Sequence, residues 1–189
     1  GVKTYAQEKR IPYRHILLDS WWYFKGNEGG VANWTVRPDI FPGAEGQGGD
    51  AALAEFRQKS GWPIIGHNRF WSSNTPYAHA NGGQWPFSLN STEKEYVVPL
   101  TFEFWDFLLG KSKKWGLATY EQDWLYNEFE GVRLLTQHVT AARAWLMQMG
   151  AAALAHNLSV QYCMAYPRMA MQSIEIPAVT QIRASDDYV

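Results

Sequence analysis

Gly116-Leu117-Ala118-Thr119-Tyr120-Glu121-Gln122-Asp123-Trp124-Leu125 reads as a short strand that stops at Asp123. A carboxylate beside indoles, where a strand gives way to a loop, is how a barrel enzyme presents a nucleophile or general acid. Asp123 is therefore the first catalytic candidate. A second acidic stretch lies at the other end of the sequence, Arg183-Ala184-Ser185-Asp186-Asp187-Tyr188. The roughly sixty intervening residues fit two strand–helix units of about 30 residues each, so the two stretches can meet across one sheet.

Working outward, His15-Ile16-Leu17-Leu18-Asp19-Ser20-Trp21-Trp22-Tyr23 runs apolar into an acid and a double indole. That is the pattern of a buried parallel strand with polar chemistry at its C-terminal end. Residues 62–71 read as a second strand ending in Asn68, Arg69, Phe70 and Trp71, and 95–100 as a short third. With 116–123 as the fourth, 159–165 is a fifth and 181–185 a sixth. Helices are expected at 50–59 with Gly61 as the stop, at 101–114, at 132–155 and at 169–174. In the third helix Leu135, Val139, Ala142, Leu146, Met149 and Ala153 alternate four and three apart, a stripe that belongs in a core rather than around a cofactor. The first fifteen residues read as a polar entry segment, and the glycine- and proline-rich 24–50 as a long loop walling the site. Alternating strands and helices predict an α/β protein with a parallel sheet wound right-handed.

Composition narrows the function. The 189 residues are 46% hydrophobic, enough to bury one sizeable core but not two. A net charge of -1, with Lys and Arg scattered, gives no reason to bind nucleic acid. Aromatics supply 15% of the residues, ten of them Trp, and many stand beside Asp, Asn or Gln at strand ends. Such surfaces suit a ligand apolar on its faces and polar on its edges, as sugars are. Trp21, Trp22, Arg69, Trp71 and Trp124 are accordingly candidate substrate contacts, as are Glu121 and Cys163 at the ends of strands four and five. The single cysteine, Cys163, reads by type as a small buried hydrophobe. His67, His79, His138 and His156 have no metal-ligand spacing, and no glycine loop has a phosphate-binding context, so neither metal nor cofactor is expected. Sequons at Asn33, Asn90 and Asn157, among eight asparagines, lean towards a secretory route, secreted or lysosomal. No apolar run approaches the roughly 20 residues of a membrane helix. The sequence opens on Gly1 rather than Met, as expected after processing or excision from something longer.

Leu18-Asp19-Ser20-Trp21, then Glu121-Gln122-Asp123, then Arg183 to Tyr188, in that order, resemble the α-galactosidase clan of glycoside hydrolases. The last motif is very similar to that of raffinose synthase and seed-imbibition proteins in glycoside hydrolase family 36. The resemblance implies a (β/α)8 TIM-type barrel, with a nucleophilic Asp ending strand four and an acid/base Asp after strand six. Carried over, these are Asp123 and Asp187, with Asp186 the close alternative. Arg183 is implied to hold sugar hydroxyls and Asp19 to hydrogen-bond the glycan ring. It further implies retaining hydrolysis of an α-linked, α-galactoside-like saccharide, since one carboxylate attacks the anomeric carbon while another protonates the departing oxygen.

Two positions depart from the clan pattern. Ser20 stands where many members carry a second acid, and Glu121 where they carry a Lys two residues before the nucleophile. A carboxylate there reverses a charge in the pocket and puts galactose specificity in doubt. Length is the other departure, because a complete barrel usually needs about 250 residues. Residues 1–189 are therefore expected to form a single partial barrel of about six units, completed by the rest of its own polypeptide or by another chain. A catalytically inactive fragment with a structural or carbohydrate-binding role and a galactosyl-transferring relative are the alternatives. Asp123 and Asp186 also have ordinary readings as helix caps, and Arg183 as a salt-bridge partner.

Overall fold

The structure is a computed structural model and describes residues 1–42, 48–89 and 94–184. Helix α1 (Val2–Glu8) and strand β1 (Ile16–Leu18) come first, so the entry segment is partly helical. Strands β2 (Tyr23–Lys25) and β3 (Val31–Val36) follow. Helix α2 (Asp50–Ser60) stops at Gly61, whose φ of 72° is the left-handed cap that glycine adopts without a Cβ penalty. Next come β4 (Ile64–Asn68), β5 (Trp71–Ser72), β6 (Tyr96–Val97) and α3 (Phe102–Lys114). Then β7 (Leu117–Gln122), α4 (Leu125–Gly131), α5 (Arg133–Gln137) and α6 (Ala141–Ala155) lead to β8 (Ser159–Tyr162), α7 (Pro167–Gln172) and β9 (Val179–Ile182).

Five strands make one sheet in the order β1-β4-β7-β8-β9, every pair parallel. Their chain order equals their spatial order, and α2, α3 and α6 lie on three of the crossovers. This is the wall of an incomplete (β/α)8 barrel. The expected strand at 95–100 exists only as β6, and it belongs to a second sheet, β2-β3-β5-β6. The parallel sheet therefore has five strands among the described residues, not six. Nor is 24–50 a plain loop, because Val31, Trp34 and Val36 are buried and pin β3 against the barrel. Glycine content hid that strand.

Aromatics fill the space between the sheets and the helices. Trp22 packs 5.1 Å from Trp34, which lies 5.3 Å from Tyr120, itself 5.7 Å from Trp105. Trp71 stands 5.2 Å from Phe104. Trp22 and Trp71 are wholly buried, so both are core residues rather than substrate contacts. Large indoles supply more area for burial than any other side chain, and here that use wins. The helix expected at 132–155 is broken, with an extended backbone at His138, and Val139 is 97% exposed instead of lying on the core stripe. Leu135, Ala142, Leu146, Met149 and Ala153 keep their place in the core. Among the described residues no helix is long and apolar enough to cross a membrane.

Candidate active site

Parallel strands in register carry their final residues to one edge. His67 pairs with Glu121, Glu121 with Gln161 and Gln161 with Gln181, so the polar strand ends of β4, β7, β8 and β9 form a continuous row. Just beyond it lies a pocket of about 220 Å³ lined by Leu17, Asp19, Ser20, His67, Arg69, Glu121, Asp123, Trp124, Cys163 and Arg183. It stands at the C-terminal edge of the sheet, where barrel enzymes place their chemistry. Asp19, Arg69, Glu121, Asp123, Trp124, Cys163 and Arg183 are thus brought together from five strand ends. Trp21 is half exposed and stacks on Phe41, 5.8 Å away, outside this lining. Asp186 and Asp187 lie outside the described residues.

Asp123 is the most heavily hydrogen-bonded acid of the group. Its backbone N–H continues the ladder to the Asn68 carbonyl at 2.8 Å. Trp124 then turns into the left-handed region, φ 57°, which aims its N–H back at Asp123 Oδ1 at 2.7 Å. Such a conformation costs a non-glycine residue on the order of 1–2 kcal/mol, and here it supplies a donor to a buried carboxylate. His67 Nε2 lies 3.0 Å from Asp123 Oδ2, and the Cys163 thiol donates to the same carboxylate. Burial alone would raise the Asp123 pKa, but these donors outweigh it and hold the carboxyl below its usual range. Cys163 is pushed up to about 12 by burial and by giving its proton to Asp123. It is an inert donor, not a nucleophile.

Glu121 lines the same pocket with its pKa moved the other way. Burial raises its pKa, and the charges of Asp123 and Asp19 add to the rise. Gln161 Nε2 donates to Oε1 at 2.7 Å, while Oε2 is buried with no hydrogen-bond partner among the described residues.

Arg69 rests its guanidinium 3.9 Å over the Trp124 ring. Its carbonyl, with that of Asp123, accepts from Gln122 Nε2, which also donates to Glu128 Oε2 at 3.1 Å. Glu128 is wholly buried and burial drives its pKa well up, so it sits behind the site as a hydrogen-bonded brace.

His67 and Ser20 are pocket residues that the sequence reading did not select. His67 has no metal-ligand spacing to mark it. Its signal was positional, since it sits one residue before the end of β4 as Glu121 does in β7.

No family profile matches the sequence, and no curated protein is significantly similar to it. Solved structures do share its fold. A β-L-arabinopyranosidase of glycoside hydrolase family 27 from Geobacillus stearothermophilus aligns with 98% of this chain and 48% of its own, at 13% identity and a TM-score of 0.65. The α-galactosidase from Thermus thermophilus aligns over 98% and 40%, at 17% identity and a TM-score of 0.62. The sucrose 6F-phosphate phosphorylase from Thermoanaerobacter thermosaccharolyticum aligns over 96% and 49%, at 8% identity and a TM-score of 0.55. The chain spans about half the length of these proteins or less.

Proposed function

We propose that this chain forms the active-site part of a retaining glycoside hydrolase of the α-galactosidase clan, acting on α-linked, α-galactoside-like saccharides. The observation that carries the reading is Asp123, a buried carboxylate held ionised by three donors at the end of a parallel strand, in a sugar-sized polar pocket. An attacking carboxylate must be ionised, and these donors keep it so. Asp123 bonds to the anomeric carbon as the glycosidic C–O bond breaks, and Asp187, or Asp186, gives its proton to the departing oxygen. The same acid then deprotonates the water that releases the sugar with retained configuration. Asp19, Arg183 and the face of Trp124 are the groups proposed to hold the ring.

Strand count supports the same roles. If β7 is the fourth strand of the barrel, as the clan pattern implies, then β4 is the third, β1 the second, β8 the fifth and β9 the sixth. Arg183 follows β9 immediately, where that pattern has its strand-six Arg. Both edges of the sheet would then be continued by the rest of the polypeptide or by another chain. The sequons support a secretory route: Asn157 is exposed, although the Asn33 side chain accepts a hydrogen bond from Tyr77.

A second reading, saccharide binding without turnover, rests on Glu121, which puts an acid where the clan has a cation. Transfer to another sugar uses the same first step and differs only in the acceptor. The full-length protein carrying this sequence should release sugar from an aryl α-galactoside or a related α-glycoside, with the α-anomer formed first by NMR. Asp123→Asn should lower turnover at least about 10³-fold. Binding with no turnover of any α-glycoside would establish the second reading instead.

A further inference from the structure

We infer that His67 is the positioning residue of Asp123, a neutral imidazole whose Nε2–H is turned onto the carboxylate by Tyr23 from the second sheet. This rests on Asp123 being the nucleophile, but the tautomer and its cause can be tested apart from turnover.

The imidazole is nearly sealed, 4% exposed, and among the described residues each nitrogen has one neighbour in hydrogen-bond range. Nε2 meets Asp123 Oδ2 at 3.0 Å and Nδ1 meets the Tyr23 hydroxyl at 3.1 Å. The Tyr23 hydroxyl also accepts from the Arg69 backbone N–H. A phenol has a single O–H, and among the described residues His67 Nδ1 is the side-chain acceptor in range of it. Burial raises the Tyr23 pKa, so that proton stays on the phenol. With Nδ1 committed as acceptor, the ring proton is on Nε2, facing the carboxylate. The opposite tautomer would set a nitrogen lone pair against Asp123 Oδ2. An imidazolium would take the acceptor away from the Tyr23 proton.

The backbone of His67 is fixed separately, by the Trp34 indole N–H donating to its carbonyl at 2.9 Å. The ring contacts are thus not needed to hold β4 in place. Other charged groups around the ring are Asp19, whose Oδ1 is 3.9 Å from Nε2, and Glu121 across the ladder. An Nε2–H cannot accept a proton, so His67 contributes a donated hydrogen bond and aim rather than base catalysis. Together with the Trp124 N–H on Oδ1, it fixes the plane of the Asp123 carboxylate from both oxygens. Tyr23 belongs to β2, which explains what the second sheet adds to the barrel: it backs the third donor in the chain from Arg69 through Tyr23 and His67 to Asp123.

The test uses the full-length protein and its Tyr23→Phe, His67→Gln and His67→Ala variants. In the parent, long-range ¹H–¹⁵N NMR should find the His67 proton on Nε2 at neutral pH, and Tyr23→Phe should turn this into a tautomer mixture. Turnover should fall about 10²-fold in His67→Ala with KM changed less than about threefold. His67→Gln, whose amide N–H can replace Nε2–H, should recover about tenfold of that loss. The acidic limb of kcat/KM should move to higher pH in His67→Ala. A proton on Nδ1, an imidazolium at neutral pH, or an Ala variant with unchanged kcat and acidic limb would overturn the inference. If the protein turns over no glycoside yet shows the Nε2–H form and its dependence on Tyr23, the enzyme reading falls while the assignment of His67 stands.

Discussion

The two acids at the end of β7 lie two residues apart, share the buried face of one strand, and are driven in opposite directions. At Asp123 the chain is leaving the sheet, so a turned backbone N–H, a cross-strand imidazole and a thiol converge on the carboxylate. At Glu121 the backbone groups are spent on the ladder to β4 and β8, and among the described residues the side-chain donor is the Gln161 amide. Burial is common to both; donors are not. Supply of donors, more than depth, decides in which direction the pKa of a buried carboxyl moves. The strand end is where such a supply can be built.

The comparison breaks most visibly in catalysis. Asp123→Asn should leave the fold intact, since the amide can keep part of the hydrogen-bond set, and turnover should fall by the factor given above. A folded variant with parental rates would remove Asp123 from the chemistry. Glu121→Lys restores the charge that the clan pattern implies, and should shift relative kcat/KM among α-glycosides by about tenfold or more, read on a panel of aryl glycosides. An unchanged panel would mean that Glu121 does not touch the sugar.

Stability against pH sharpens the contrast. Asp123 has a lowered pKa, so it stabilises the fold above its unfolded value and that contribution is lost as pH falls through the folded one. Glu121 has a raised pKa, so its ionisation penalises the fold, fully above the folded value and less as pH falls towards the unfolded one. Glu121→Gln should therefore raise the urea midpoint at neutral pH, with the gain vanishing in acid. An equal effect at every pH would show that Glu121 carries no penalty of ionisation. Cys163→Ala gives the smallest change. Losing one weak S–H donor should move the acidic limb of kcat/KM upward by a fraction of a pH unit and slow turnover only a few-fold.

Much of this was legible in the sequence because strand ends announce themselves. An apolar run closing on Asp, Arg or Trp located β1, β4 and β7, and all of the polar pocket candidates among the described residues fell at such ends. What could not be read was which indole faces which way. Trp21 and Trp22 are adjacent and identical, yet one is half exposed and the other is sealed, because tertiary packing and not residue type assigns the core side. The strand at 95–100 was real in pattern, but pattern does not say which sheet a strand joins. His67 was missed because its partners, Tyr23 and Asp123, are 44 and 56 residues away, and no local spacing encodes such a meeting.

The most direct measurement is to trap the sugar on the protein. Full-length protein treated with a 2-deoxy-2-fluoro-α-galactosyl fluoride or a related fluoroglycoside should be inactivated and gain one fluorosugar mass. Peptide sequencing should place that mass on Asp123, within 116–125. Turnover accompanied by a label on any other residue, or inversion at the anomeric carbon, would contradict the assignment of Asp123 as the nucleophile.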